Sequence, residues 1–273
     1  MLSTPLLVLA AACTAALGAL GGLGGAVLLV PVLVLTDTPA AAAAPLGLLS
    51  VAAGSLAATS RQVRERAVNH RLGVTTETAA TAGAITGAVV SGAFSDTVLT
   101  YILAATAAAA AVAGGRRKGI RNPPVPGLGT DHVGERTGTL DAAYPVGAGV
   151  APYSVRRLPL GLAAMTVSGL VAGLAGTSGG FIKTPATSEI MHVPVKVAAA
   201  TTTFTIGVTS GAAIVVFAIQ GRIDVDAGVA VIAGSLAGGW LGAALQAQLS
   251  PPVVRRVLSV VLIAVAVALV AGA

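Results

Sequence analysis

Eight long apolar segments follow one another along this chain, at 6–35, 40–59, 78–94, 98–113, 158–182, 195–219, 225–245 and 253–271. A helix that spans a bilayer needs about 20 mostly apolar residues, and these runs meet or approach that length. None alternates strictly as a membrane barrel strand does, and all are too long for strands. The chain therefore reads as an all-α polytopic membrane protein with about eight transmembrane helices. Charge supports this: 10% of the 273 residues are charged, against about 25% in a soluble domain. That is too little polar surface to face water. The apolar content is Ala, Leu and Val, with 35 Gly and only 3% aromatics. Small residues let membrane helices approach closely, where packing replaces the missing hydrophobic drive.

The net charge of +6 is concentrated in one loop and does not indicate nucleic acid. Arg116, Arg117, Lys118, Arg121, Arg136, Arg156 and Arg157 stand there against Asp131, Glu135 and Asp141. Basic loops mark the cytoplasmic side. Arg61, Arg64, Arg66 and Arg71 fall between the second and third segments, while Asp37, Asp96 and Glu189 fall in the alternate connections. With eight crossings both termini are expected in the cytoplasm, and Arg255 and Arg256 fall on the wrong side. The stretch 115–157, with Pro123, Pro124 and Pro126, is expected to be a flexible cytoplasmic linker. Cys13 is the single cysteine, so no intramolecular disulfide forms. Ala10-Ala11-Ala12-Cys13 weakly resembles a lipoprotein cleavage site, but no basic residue precedes it. The start of the chain is therefore read as the first membrane segment.

The two ends of the chain match each other. Leu20-Gly-Gly-Leu-Gly-Gly-Ala-Val-Leu-Leu-Val-Pro31 aligns without gaps on Leu174-Ala-Gly-Thr-Ser-Gly-Gly-Phe-Ile-Lys-Thr-Pro185. Pro39 then falls near Pro194, Ser55 near Ser210, and Gly83 and Gly87 near Gly234 and Gly238. The expected organisation is a four-helix repeat at 1–114, the linker at 115–157 and a second four-helix repeat at 158–273. Internal repeats are a transporter habit, with the site where they meet. An even number of crossings per repeat makes the copies parallel, unless one segment dips in and returns.

The Gly-rich stretches carry the most information about a site. As one straight helix, 6–35 would be roughly 45 Å long against about 30 Å of hydrocarbon, and Gly18, Gly21, Gly22, Gly24 and Gly25 interrupt it. The fifth segment repeats this with Gly173, Gly176, Gly179 and Gly180. Non-helical backbone at membrane depth survives only against protein or a water-filled cavity, and its exposed N–H groups attract anions. These are either substrate-facing breaks or close helix contacts through Gly-xxx-Gly, and the two can coexist. Lys183 stands where the other repeat has Leu29. A charge within a membrane segment costs at least ~2.5–3.5 kcal/mol and points to function. It either pairs with an anionic substrate or snorkels to lipid phosphates. Thr201, Thr202, Thr203, Thr205, Thr209 and Ser210 give the sixth segment a hydroxyl-rich start. Such groups either solvate an oxyanion or bond back to helix carbonyls.

Gly176-Thr177-Ser178-Gly179 also fits the Gly-x-Ser-Gly pattern of an intramembrane serine hydrolase, which needs a base within reach of the serine. Lys183 is the nearby candidate, since His70, His132 and His192 fall at loops. A non-transporting scaffold is the third alternative, and it leaves Lys183 unexplained. Three scattered His, one Cys and no clustered carboxylates give no metal-ligand set, and no cofactor is expected. Glu77, Asp96, Glu189, Asp224 and Asp226 all lie near expected segment ends, so no deep proton relay is legible.

At these residues the chain resembles the TauE/SafE family of membrane permeases. The resemblance rests on Gly22-Leu-Gly-Gly-Ala-Val-Leu-Leu-Val-Pro31, on Gly176-Thr-Ser-Gly-Gly-Phe-Ile-Lys-Thr-Pro185 with the helix that follows it, and on Gly221-Arg-Ile-Asp224. It implies a multi-pass permease of the prokaryotic cytoplasmic membrane with a four-plus-four duplication. It also implies a sulfite, sulfonate or related organic anion as substrate. The residues expected to bind that anion are Gly22, Gly24, Gly25, Gly176, Thr177, Ser178, Gly179, Gly180, Lys183, Thr201, Thr202 and Thr203. The expected partners are the anion and the lipid bilayer.

Overall fold

A computed structural model describes residues 2–21, 24–116, 133–146, 149–246 and 251–272. Gly22, among the expected binding residues, lies outside them, as do Arg117, Lys118, Arg121, Asp131 and His132. The described chain is predominantly helical: α1 (Thr4–Gly21), α2 (Ala26–Leu35), α3 (Ala40–Arg64), α4 (His70–Ser91), α5 (Asp96–Arg116), α6 (Leu158–Ala175), α7 (Gly180–Pro185), α8 (Val195–Ile219), α9 (Val225–Gln246) and α10 (Pro251–Gly272). Among the described residues, five stretches of helix are long and apolar enough to cross a membrane: Ala40–Arg64, Asp96–Ala113, Leu158–Ala175, Val195–Ile219 and Val225–Leu245. Two of the other segments fall short for physical reasons. The first is divided into α1 and α2, and α4 carries Thr75, Thr76, Glu77 and Thr78 within its first turns.

The helices pack with two recognisable ends. At one, Asn69 caps α4 by accepting from the Leu72 N–H at 2.9 Å, and Lys196 at the start of α8 pairs with Glu65 at 3.6 Å. At the other, the Ala41 N–H donates to Asp96 Oδ1 at 2.8 Å, and the Arg222 guanidinium donates to Ser91 Oγ at 2.8 Å and to the Ala41 carbonyl at 2.7 Å. α4 and α8 run from the Asn69 end to the Asp96 end, and α3, α5 and α9 run the other way. α10 lies antiparallel to α5, with Ser259 donating to the Ala111 carbonyl. The closest pairings are α1 with α9, α4 with α6, α3 with α8 and α9, and α5 with α10.

Two helix pairs fold back on themselves. The Arg156 N–H, just before α6, donates to the Met191 carbonyl at 3.0 Å, and Gly161 lies against the Met191 side chain. So α6 leaves the Asn69 end, and α7 with the π-helical turn Ala186–Ile190 returns to it. α1 and α2 do the same from the Asp96 end. Leu2, Thr4 and Leu7 line a cavity of about 190 Å³ together with Leu33, Thr38, Asp224 and Asp226. The expectation that the Glu189 connection lies opposite the basic loops is thereby corrected. Hydropathy reports how much apolar chain there is, not whether it turns back halfway.

The connection expected to be a flexible linker contains a small antiparallel sheet beside the helical bundle. β1 (Gly134–Glu135), β2 (Ala142–Val146) and β3 (Gly149–Tyr153) lie in sequence order. Pro145 is tolerated because β1 pairs only with Ala142 and Ala143, leaving that side of β2 open beyond them. Asn69 ties this sheet to the bundle: its Nδ2 donates to the Leu140 carbonyl and to the Tyr153 hydroxyl, both at 2.9 Å. Burial raises the Tyr153 phenol above its ordinary range, so it stays neutral at physiological pH.

Glycines set the helix spacing. A Cβ on Gly169 would lie 1.9 Å from the Ala80 carbonyl oxygen, and one on Gly238 would lie 2.0 Å from that of Ala12. Contacts this close are open only to glycine. The Gly-xxx-Gly reading therefore holds for the helix interiors, alongside the breaks.

Candidate functional site

The two Gly-rich stretches are helix breaks, and they meet. α1 ends at Gly21 and α2 begins at Ala26; α6 ends at Ala175 and α7 begins at Gly180. Gly176 and Gly179 sit at φ +67 and +61, the left-handed region that closes a helix end without a Cβ penalty. Gly24, at φ +78, is pressed against the tip of the other hairpin: a Cβ there would lie 2.5 Å from Ser178 Cβ. Gly24 and Gly25 line a cavity of about 20 Å³ with Gly18, Ser50, Ser55 and Thr203. That is room for about one water.

Lys183 lies one turn beyond this contact and does not line that cavity. It is 1% exposed, so it does not snorkel. Its Nζ donates to Glu77 Oε2 at 2.7 Å and to Thr209 Oγ1 at 2.5 Å. The Thr209 hydroxyl in turn donates to Glu77 Oε1, and Thr81 donates to the same oxygen at 3.3 Å. Ammonium, carboxylate and hydroxyl form a closed triangle between α7, α4 and α8. Its net charge is zero and its members are held by low-dielectric surroundings, where an unpaired charge is costly.

Glu77 is the residue the sequence reading missed. α4 begins at His70, not at the expected 78, so Glu77 sits two turns inside the helix and is 7% exposed. One signal would have found it. A buried lysine demands a counter-charge, and Glu77 is the acidic residue in the polar start of α4, from His70 to Thr78, that hydropathy trimmed away.

The remaining expected residues fall into three groups. Ser178 touches Gly24, and the Gly180 N–H donates to its Oγ at 3.3 Å. The Gly179 carbonyl is taken by Ser168 Oγ at 2.7 Å, and Gly176 packs on the Ala44 backbone. Thr201, Thr202 and Thr203 are buried, but they diverge. Thr201 Oγ1 accepts from the Asn69 N–H, the Thr202 carbonyl accepts from Thr205, and Thr203 bonds back to the Ala199 carbonyl at 2.9 Å while reaching the small cavity. Only Thr203 of the three therefore joins the first break. Buried and without a hydrogen-bond partner among the described residues are the hydroxyls of Thr38, just before α3, and of Thr177, Thr184 and Ser210. Such groups are rare in folded proteins and mark a place to look for a ligand or water. For the hydrolase alternative, Lys183 is committed to Glu77 and Thr209. Among the described residues no cluster of His, Cys, Asp or Glu fit for a metal ion is found.

The family described as "Sulfite exporter TauE/SafE" matches residues 7–269. A "Probable membrane transporter protein YunE" of Bacillus subtilis (strain 168) is 32% identical over 113 residues, which is 41% of this chain and 41% of that protein. This chain thus spans under half the length of that relative. No solved structure matches. With a family match that runs through every helix from α1 to α10, the chain belongs to the TauE/SafE family.

Proposed function

We propose that this transporter moves a small anion, namely sulfite, a sulfonate or a related organic anion, across the cytoplasmic membrane. The observation that carries the reading is the meeting of two broken-helix hairpins at Gly24 and Ser178, within one helical turn or so of a buried ammonium. Discontinuous helices that converge at membrane depth are where transporters bind charged substrates. Gly24, Gly25 and Thr203 would line the first side of the path, with Gly22 beside them in sequence. Gly176, Thr177, Ser178, Gly179 and Gly180 would line the second, and Lys183 neutralises the anion. The unpartnered hydroxyls of Thr177, Thr184 and Ser210 offer solvation without added charge, and Thr201 and Thr202 hold α8 in place. The direct test is counterflow of radiolabelled sulfite, thiosulfate and methanesulfonate in proteoliposomes. Saturable exchange of at least one is expected, and exchange of none would reject the anion while leaving the fold intact.

The same reading sets the membrane topology. Each unit, 1–114 and 158–273, then holds one hairpin and three crossings rather than four crossings. An odd number of crossings inverts the second unit relative to the first, as in many transporters. The exchange of partners, α1 on α9 and α4 on α6, supports this. Among the described residues, all basic positions but Arg222 and the intramembrane Lys183 then fall at the Asn69 end, now including Arg255 and Arg256 at the start of α10. Asp37, Asp96, Asp224 and Asp226 fall at the other. The positive-inside rule puts the Asn69 end in the cytoplasm and the outer ends of α1 and α10 outside, the reverse of the cytoplasmic termini implied by eight crossings. Alkaline phosphatase fused after Ala273 is expected to be active, and the same enzyme inserted in 117–132 inactive. The opposite pattern would refute the inverted arrangement.

A further inference from the structure

Resting on the anion reading above, we propose that Glu77 is the proton carrier of this transporter: one proton binds its carboxyl for each anion that binds Lys183. The argument begins with charge. In the structure Lys183 is fully compensated by Glu77 at 2.7 Å, and both are buried. An anion that approaches Lys183 while Glu77 is ionised places two negative charges against one positive charge in a low-dielectric centre. Like charges sharing a site cannot both stay ionised there. Protonation of Glu77 removes the conflict and frees the ammonium for the anion. The protonated carboxyl keeps its place, because the Thr209 and Thr81 hydroxyls beside Oε1 can accept from it as well as donate to it.

Among the described residues no other ionisable side chain competes for this role at the centre. α4 packs chiefly against α6 and α8. α6 carries no ionisable side chain between Leu158 and Ala175. α8 presents Thr209, and its only charged residue, Lys196, is exposed at the Asn69 end and pairs with Glu65. α7 presents Lys183 itself. On α4, His70 and Arg71 lie two turns away and face Glu135. Glu77 and Lys183 are the only charged side chains among the buried described residues.

The balance is simple. A proton from the side facing the open centre adds to a Glu77 oxygen, an anion enters beside Lys183, both cross, and both leave on the other side, where the Glu77–Lys183 pair re-forms. For a monovalent anion no net charge moves, so a pH difference alone drives it, to about tenfold accumulation per pH unit.

Methanesulfonate and thiosulfate suit the test because both stay fully ionised near neutral pH and carry no proton of their own. Calorimetric titration of the purified protein with each, in buffers of different ionisation enthalpy, counts the protons taken up. About one per anion is expected for the native protein and for Glu77→Asp, and none for Glu77→Gln, with binding retained. In proteoliposomes, accumulation driven by a pH gradient should persist in Glu77→Asp and be lost in Glu77→Gln. Binding by the native protein with no proton uptake overturns the coupling and leaves the anion reading standing. Failure of both probes to bind or exchange overturns the anion reading and the coupling with it. The native proton count stands by itself if Glu77→Gln does not fold.

Discussion

Replacing Lys183 by Ala is expected to abolish anion flux and to destabilise the protein together, because the substitution strands Glu77. A buried pair broken by removing one partner costs about 3–5 kcal/mol, since the remaining charge keeps its desolvation penalty without its counter-ion. Two companions separate folding from transport. Lys183→Ala combined with Glu77→Ala removes both charges and should recover thermal stability in detergent while flux stays absent. Lys183→Arg keeps a positive charge, but its planar fork does not reproduce the compact ammonium between Glu77 and Thr209. It should fold and retain partial flux. Flux in the double Ala variant would remove Lys183 from the substrate path.

Gly24→Ala is the second large effect, and it arises from a single methyl group. That methyl would lie 2.5 Å from Ser178 Cβ and 2.8 Å from its Oγ, well inside contact distance. The residue also sits at φ +78, where a Cβ costs roughly 1–2 kcal/mol. Forcing extra volume into a packed contact adds typically about 1–3 kcal/mol. Flux should fall at least tenfold, with a lowered melting temperature. Ser178→Gly in the same chain removes the opposing Cβ and should restore most of the flux, leaving only the backbone strain. Absence of that rescue would show that the two hairpin tips do not touch in the working protein.

Much of this protein was written plainly in its sequence, and the failures have definite causes. The helix breaks followed from clustered glycines, because no other residue type ends two long apolar helices so abruptly. Lys183 stood out because its aligned partner is Leu29. The turning back of α2 and α7 was not legible: 6–35 contains enough apolar residues to cross and more, and hydropathy carries no direction. The orientation inferred from eight crossings assumes that every apolar segment crosses, and Arg255 and Arg256 are the residues that do not fit it. Glu77 was lost because the polar start of α4, His70 to Thr78, depresses any hydropathy window although Asn69 caps a continuous helix there. The sheet at 134–153 was hidden by Pro145 and Pro152, which argue against a strand unless one knows which side of it is unpaired.

Asn69 and Arg222 have a mechanical consequence. The Asn69 N–H holds Thr201 at one end of α8. Arg222, just beyond the other end of α8, holds Ser91 at the end of α4 while Gln220 reaches the Ala88 carbonyl. α4 and α8 are thus clamped to one another top and bottom, and they form a single rigid wall bearing Glu77 and Thr209. Lys183 reaches that wall from the returning arm of a hairpin six residues long before its π-turn. Any motion of the arm against the wall must stretch the ammonium from its carboxylate, so the ion pair serves as a latch: closed when the centre is empty, and released when a proton and an anion each take one half of it.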